Sequence, residues 1–404
     1  MNKLNFRLLL SFAIIATVIS CKKKGCTDPL ASNYDANAEK NENCEYDTAT
    51  VANYNVPSTY AFTDANDSST VSYGGQTDRM DMLSTIVKYL KTANGTGASG
   101  TNAQLDELTL HNMYSNDSYT WDTTYYSDSP FDMNNQPTKD LESKTAGSPT
   151  IQQKFKDWMT QAANASTMNT NTGYFQDSSG KEWTQLIEKG LMGACFAFQI
   201  TENYLTDTKI GSGVNNLTPA AGKFYTLMEH HWDEGYGYFT DAIDYPTSGT
   251  NRFWGKYTNK SYMGDIGENI ATAFRTGRAA ITASRLAGGN GLDYHADVLA
   301  QRDIIKNEVY KMAAGMAIHY LYDTQTQVDG GASQNSINHS MSEAYAFMFG
   351  LHTLNGGVWG SSIAGMLNAI DLDFEGYTAN ETAIEADIAA IAALVGITNP
   401  SSFQ

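Results

Sequence analysis

The sequence predicts an all-α protein built as two packed helical bundles, and three observations predict it. Apolar residues recur three and four positions apart through most of the chain, alternating strand patterns are scarce, and Gly/Asn/Ser/Thr-rich loops separate the periodic segments. In order, Met82, Leu83, Ile86, Val87 and Leu90 mark a helix that runs from about Asp78. Ile151, Phe155, Trp158 and Met159 repeat the spacing after Ser148-Pro149, a helix start with proline at its first turn. Trp183, Leu186, Ile187, Gly190, Leu191, Ala194 and Phe198 share one stripe of a longer helix.

Thr218-Pro219 reads as the start of the next helix, with Phe224, Leu227, Met228 and His231 on its apolar stripe. Ile266, Ile270, Phe274, Gly277 and Ile281 mark another, and Val298, Ile305, Val309, Met312 and Met316 the one after it. Ile384, Ile388, Ile391 and Val395 form a last helix that stops at Gly396, with Pro400 beyond. The long loops fall at 91–104, 115–148 and 206–217.

At the N-terminus, Lys3 and Arg7 precede an apolar run from Leu8 to Ile19, the layout of an export signal and too short to span a bilayer comfortably. Val18-Ile19-Ser20-Cys21 resembles the lipobox of bacterial lipoproteins, which implies removal of residues 1–20, lipidation of Cys21 and anchoring to the membrane through that lipid. The expected organisation is a signal peptide at 1–20, a flexible lipidated leader at 21–60 and a helical domain at 61–404, with lobes at roughly 61–220 and 221–404. Lys22-Lys23-Lys24 departs from the acidic leader of lipoproteins sent to the cell surface in some Gram-negative groups, which favours the periplasmic face of the outer membrane.

The 404-residue chain is long enough for one large core or two ordinary ones. Without Lys3 and Arg7 it has 24 basic side chains against 44 acidic ones, which argues against a nucleic-acid partner. Cys26 and Cys44 flank a short polar loop in an oxidising compartment and are expected to pair, whereas Cys195, within GACFAF, reads as a buried small apolar residue. The segment between the paired cysteines resembles a short C-T-D-P-x-A-x-N-Y-D module of secreted Gram-negative proteins. Its Asp28, Asn33, Asp35 and Asn37 offer oxygens to a calcium ion, or serve as turn residues of a closed spacer.

Two segments echo each other: His230-His231-Trp232-Asp233-Glu234-Gly235-Tyr236-Gly237-Tyr238 and His339-Ser340-Met341-Ser342-Glu343-Ala344-Tyr345-Ala346-Phe347. Both read H-x-x-x-E-small-Tyr-small-aromatic, and a Trp-Gly pair follows each, at Trp254-Gly255 and Trp359-Gly360. Such an echo suggests an internal pseudo-repeat of two helical halves. His and Glu four apart share a helix face. If the halves converge, His230 or His231 with Glu234, and His339 with Glu343, supply four ligands to iron, zinc or copper, as helical bundles do from facing helices. The competing reading is a pair of buried polar contacts at a bundle interface.

Arg275, Arg278 and Arg285 form a basic stripe that could grip a carboxylate or phosphate ligand, or pair with Glu234, Glu343 or other acids. His111, Tyr114, Tyr119, Trp121, Tyr125 and Tyr126 offer either a contact surface or a loop packed on the core. The chain has no Gly-rich phosphate loop, no H-E-x-x-H motif and no G-x-S-x-G elbow.

The lipobox, the helical chain of this length, EHHWDEGYGYF and HSMSEAYAF together resemble a lipoprotein family related to imelysin, over roughly residues 60–400. The resemblance implies a two-lobed helical bundle with a pseudo-repeat, in the periplasm or on the outer membrane, associated with uptake of iron or another metal and with an outer-membrane uptake receptor. The family hallmark is G-x-H-x-x-E. His231 and Glu234 match its H-x-x-E part, and Glu229 stands where the glycine is expected. The expectation is a non-enzymatic protein binding a metal ion or metal complex in a cleft. Two rivals stand beside it: a metal-dependent peptidase with Glu234 as general base, and a glycan- or protein-binding surface module.

Overall fold

The computed structural model describes residues 23–25, 35, 37–38, 40–41, 54–122, 134, 138–167, 172–247 and 251–404. Cys21, expected to be lipidated, Cys26 and Cys44, expected to pair, Asp28 and Asn33 of the calcium reading, and Tyr125 and Tyr126 lie outside these residues. The chain divides into two compact units, Met1–Ala52 and Asn53–Gln404. In the first, Lys24–Gly25 pairs in parallel with Lys40–Asn41, and the Asp35 carboxylate is held 2.7 Å from Lys23 Nζ, so that oxygen already faces a cation.

The second unit is all-α, as the periodicity predicts. Its helices are α1 (Gly74–Lys91), α2 (Glu107–Ser115), α3 (Pro149–Ser166), α4 (Trp183–Leu191), α5 (Asp207–Ile210), α6 (Leu227–Phe239) and α7 (Phe253–Thr258), followed by α8 (Ile266–Ala287), α9 (His295–Asp329), α10 (Gln334–His352), α11 (Gly360–Leu372), α12 (Phe374–Thr378) and α13 (Glu381–Val395). The 35-residue α9, about 50 Å long at ~1.5 Å per residue, is the spine, and α8, α10 and α13 pack along it. Helices from before and after residue 220 pair with each other, α1 with α6 and α4 with α10. One apolar core runs from Tyr60 to Phe403, so the boundary expected at 220 divides no packing layer.

Two starts differ from the expected ones. The first helix begins at Gly74, a turn before Asp78. The helix placed after Thr218-Pro219 begins at Leu227 instead, because Thr226 and Glu229 form a capping box: Glu229 N–H donates to Thr226 Oγ1 at 3.2 Å and Thr226 N–H to Glu229 Oε2 at 2.8 Å. Phe224 and Leu227 are therefore exposed, and the buried face carries Met228, Trp232 and Tyr236. The leader also ends earlier than expected, since Tyr60 is buried against the ring of Tyr236, 3.6 Å between centroids. The end of α13 is as predicted: Gly396 takes φ 72°, a left-handed cap that glycine adopts without a Cβ clash.

Beyond α4 the helix continues through two π-helical stretches, Met192–Ala197 and Gln199–Tyr204. The wide turn presents Gly193 to Gly350 of α10, where a Cβ on Gly193 would lie 2.3 Å from the Gly350 Cα. The Trp254 indole reaches the same turn and donates to the Met192 carbonyl at 2.7 Å. Backbone against backbone cannot yield as a side-chain tip would. Gly193→Ala is therefore expected to lower stability by about 1–3 kcal/mol, the usual range for overpacking. Gly213→Ala, with nothing within 4 Å of its Cβ, should leave the urea midpoint near that of the wild type.

Candidate functional site

The echoed segments lie on α6 and α10, and each contributes one His–Glu pair to a cleft. The two clefts share no lining residue, so the four side chains do not converge into the single site expected of facing halves. Among the described residues, no group of three or more His, Cys, Asp or Glu is placed to hold a metal ion.

The first cleft, about 670 Å³, opens between α1, α6 and the segment around Lys139. His230 Nδ1 donates to the Ser72 carbonyl at 3.0 Å, and the ring stacks on Tyr225 with centroids 4.7 Å apart. Nε2 then faces the Glu234 carboxylate at 3.7 Å, too far for a direct hydrogen bond. Glu234 Oε1 accepts from Gln76 Nε2 and from Tyr204 OH, each at 3.1 Å. Arg79, Lys139 and Lys144 line the same cleft. Burial, with a smaller contribution from Asp81, pushes the Asp78 carboxyl up to about 6 against the pull of Lys139. Burial and the Arg79 charge lower the Lys144 ammonium. In a chain of net charge −18, three basic side chains around one cavity form a local reversal of sign.

The second cleft, about 440 Å³, repeats the frame with other partners. His339 Nδ1 donates to Glu182 Oε2 at 2.6 Å, and the ring stacks on Tyr174 with centroids 4.0 Å apart. Its Nε2 faces Glu343 at 3.9 Å. Glu343 also faces Lys189 Nζ at 3.5 Å, and Lys189 in turn meets Glu188 at 2.9 Å. Burial opposes the charge on His339, but the hydrogen bond and charge of Glu182, with Glu343 beside it, outweigh burial and hold the imidazolium above its ordinary range.

The remaining candidates have other duties. His231 lines neither cleft; its Nδ1 donates to the Lys209 carbonyl at 2.7 Å, and burial lowers its protonation. Arg278, expected to grip a ligand, is fully buried and spends every N–H inside the fold. Nε donates to Asp233 at 2.8 Å, Nη1 to Glu229 at 2.9 Å and to Thr282, and Nη2 to the carbonyl and hydroxyl of Thr70 at 3.0 and 3.1 Å. Arg275 pairs with Glu268 at 2.9 Å, and Arg285 lies 3.4 Å from Glu229, so the basic stripe bonds neither Glu234 nor Glu343. Cys195 is buried, and burial pushes its thiol up to about 12, which leaves no thiolate for chemistry. Tyr114 and Trp121 are core residues.

Glu182, Lys189, Tyr174, Arg79, Lys139 and Lys144 carried no signal in the sequence, because each reaches its cleft from an element distant from the His–Glu pair; Tyr225, just before α6, stacks on His230 from five residues away. Only Glu229 had a readable signal, the T-x-x-E spacing of its capping box.

Residues 57–361 match the family described as Domain of unknown function (DUF4856). No curated protein and no solved structure matches the chain.

Two outcomes are expected of the site framework. Removing one partner of a buried ion pair costs about 3–5 kcal/mol, so Arg278→Met should lose that much stability in urea unfolding. For the second cleft, a histidine whose folded pKa is raised contributes stability that is complete below its ordinary value of ~6.5 and is lost as pH rises through the folded value. The stability difference between wild type and Glu182→Gln should therefore shrink as pH is raised from 6 to 9. A difference that stays constant over that window would mean that Glu182 does not hold the proton on His339.

Proposed function

We propose that this chain, which belongs to the family described as Domain of unknown function (DUF4856), is a lipid-anchored envelope protein that binds a small anionic metal complex without transforming it. One observation carries the reading. Three cations, Arg79, Lys139 and Lys144, line the first cleft beside Asp78 and the His230–Glu234 pair, so positive groups outnumber negative ones there in a chain that is acidic as a whole. A local excess of one sign concentrates oppositely charged ligands, and lysine and arginine are the usual partners of carboxylates.

A bare ion fits this cleft poorly. With Nδ1 donating to Ser72, neutral His230 offers Nε2, and Glu234 offers one carboxylate; two protein donors fall short of the three or more that protein sites for zinc and similar ions provide. A metal that arrives already chelated needs fewer protein ligands, and the carboxylates of the chelator supply the negative charge that the three cations would neutralise. Iron is the metal suggested by the resemblance to imelysin-like proteins, which also supports an outer-membrane setting and a receptor that takes up the cargo. The export signal and Cys21 support the anchor. Among the described residues no helix is long and apolar enough to cross a membrane.

Isothermal titration of the full chain with ferric citrate, with citrate alone and with zinc chloride tests the reading. Ferric citrate should bind, and the Lys139→Ala/Lys144→Ala variant should bind it at least about tenfold more weakly, since two charge-assisted contacts are removed. Added salt should weaken wild-type binding. No binding of ferric citrate, or binding that survives loss of both lysines, would sink the proposal.

A further inference from the structure

The second cleft repeats the geometry of the first with different partners: His230 Nδ1 meets a backbone carbonyl, whereas His339 Nδ1 meets the Glu182 carboxylate. Glu234 accepts from the neutral amide of Gln76, whereas Glu343 faces the ammonium of Lys189, itself buried and set over the ring of Tyr257 at 5.2 Å. Every charge at the centre of the second cleft has an opposite charge beside it. Lys189 lies between Glu188 and Glu343, and His339 lies against Glu182. Arg252 at the rim is taken by Asp81 and by Asp241 at 2.8 Å, and Lys91 and Lys256, which also line the cleft, act on the Glu188 carboxylate. A cation entering here meets Lys189, and an anion meets three glutamates.

What is left open is hydrogen bonding. With Nδ1 bound to Glu182, His339 Nε2 faces Glu343 across 3.9 Å, a gap too long to close directly, and Glu182 and Glu343 on either side of the ring favour the protonated form, whose Nε2–H points into that gap. A hydroxyl group both accepts and donates, so one hydroxyl spans that gap. Gln185 lines the same cleft; its Nε2 donates to Glu182 at 3.0 Å, and its buried Oε1 has no hydrogen-bond partner. The volume of about 440 Å³ is that of a small-molecule site.

We propose that the second cleft binds an uncharged, hydroxyl-rich small molecule of mono- or disaccharide size, with a ligand hydroxyl bridging His339 and Glu343. The site is separate from the one that takes the anionic complex, and it stands or falls on its own residues.

The test uses the full chain with glucose, galactose, mannose, N-acetylglucosamine, maltose and cellobiose, screened by saturation-transfer NMR and quantified by calorimetry. At least one sugar should bind. Glu343→Gln, which weakens the acceptor of the bridging hydroxyl, should reduce its affinity at least about tenfold. Ser84→Trp, at a half-buried position on the cleft wall away from the ion pairs, should do the same by filling the space. It serves as the second variant should Glu343→Gln fail to fold by circular dichroism. Ferric citrate binding should be unchanged in Ser84→Trp. The proposal is overturned if no sugar in the panel binds the wild type, or if sugar binding is undiminished in the folded variants.

Discussion

The buried guanidinium of Arg278 is the constraint on which the first cleft depends. An unpaired charge at 0% exposure is not tolerated, and the structure answers it with two carboxylates from one turn of α6, Glu229 and Asp233, and with Thr70 from the segment before α1. Those carboxylates are then positioned for other partners. Tyr60 OH and the Ser72 N–H both donate to Asp233, at 2.8 and 3.1 Å. The segment 60–72 is thereby fastened along α6, and the carbonyl of Ser72 is delivered to His230. The orientation of the ring that faces the cleft is thus set three hydrogen bonds away, by an arginine of α8.

The same network explains the glutamate at 229. Glu229 closes the capping box of α6, accepts from Arg278 and lies 3.4 Å from Arg285. A glycine there could do none of this. The glutamate is a structural requirement of this chain's own core, which binds α6 to α8 through charge.

The two clefts share a frame that helix geometry makes easy to repeat. A histidine and a glutamate four residues apart on one helix face, a tyrosine stacked on the imidazole and an oxygen acceptor on Nδ1 recur on α6 and α10. The frame holds the ring in one orientation and leaves Nε2 facing the carboxylate across a gap of 3.7 Å on α6 and 3.9 Å on α10. The partners around it then decide the character of each cavity. Glu234 meets the neutral amide of Gln76 in a cleft lined by Arg79, Lys139 and Lys144, whereas Glu343 meets Lys189, which also pairs with Glu188.

From the sequence alone came the helical class, the start of α3, the glycine stop of α13 and the pairing of His with Glu on α6 and α10, because each depends on residues within a few positions of one another, where helical periodicity and capping act. Only the tertiary structure decided that the two pairs stand in separate clefts, that Arg278 is a core ion-pair residue and not a ligand-gripping one, that His231 turns away, and that Glu182, Lys189, Tyr174 and Tyr225 complete the sites. Those outcomes depend on which helices pack together: α1 on α6 and α4 on α10 bring side chains more than a hundred residues apart into contact, as with Gln76 and Glu234 or His339 and Glu182. Local periodicity holds no record of such pairings, since burial and ion pairing across the core are settled by the packing of whole helices.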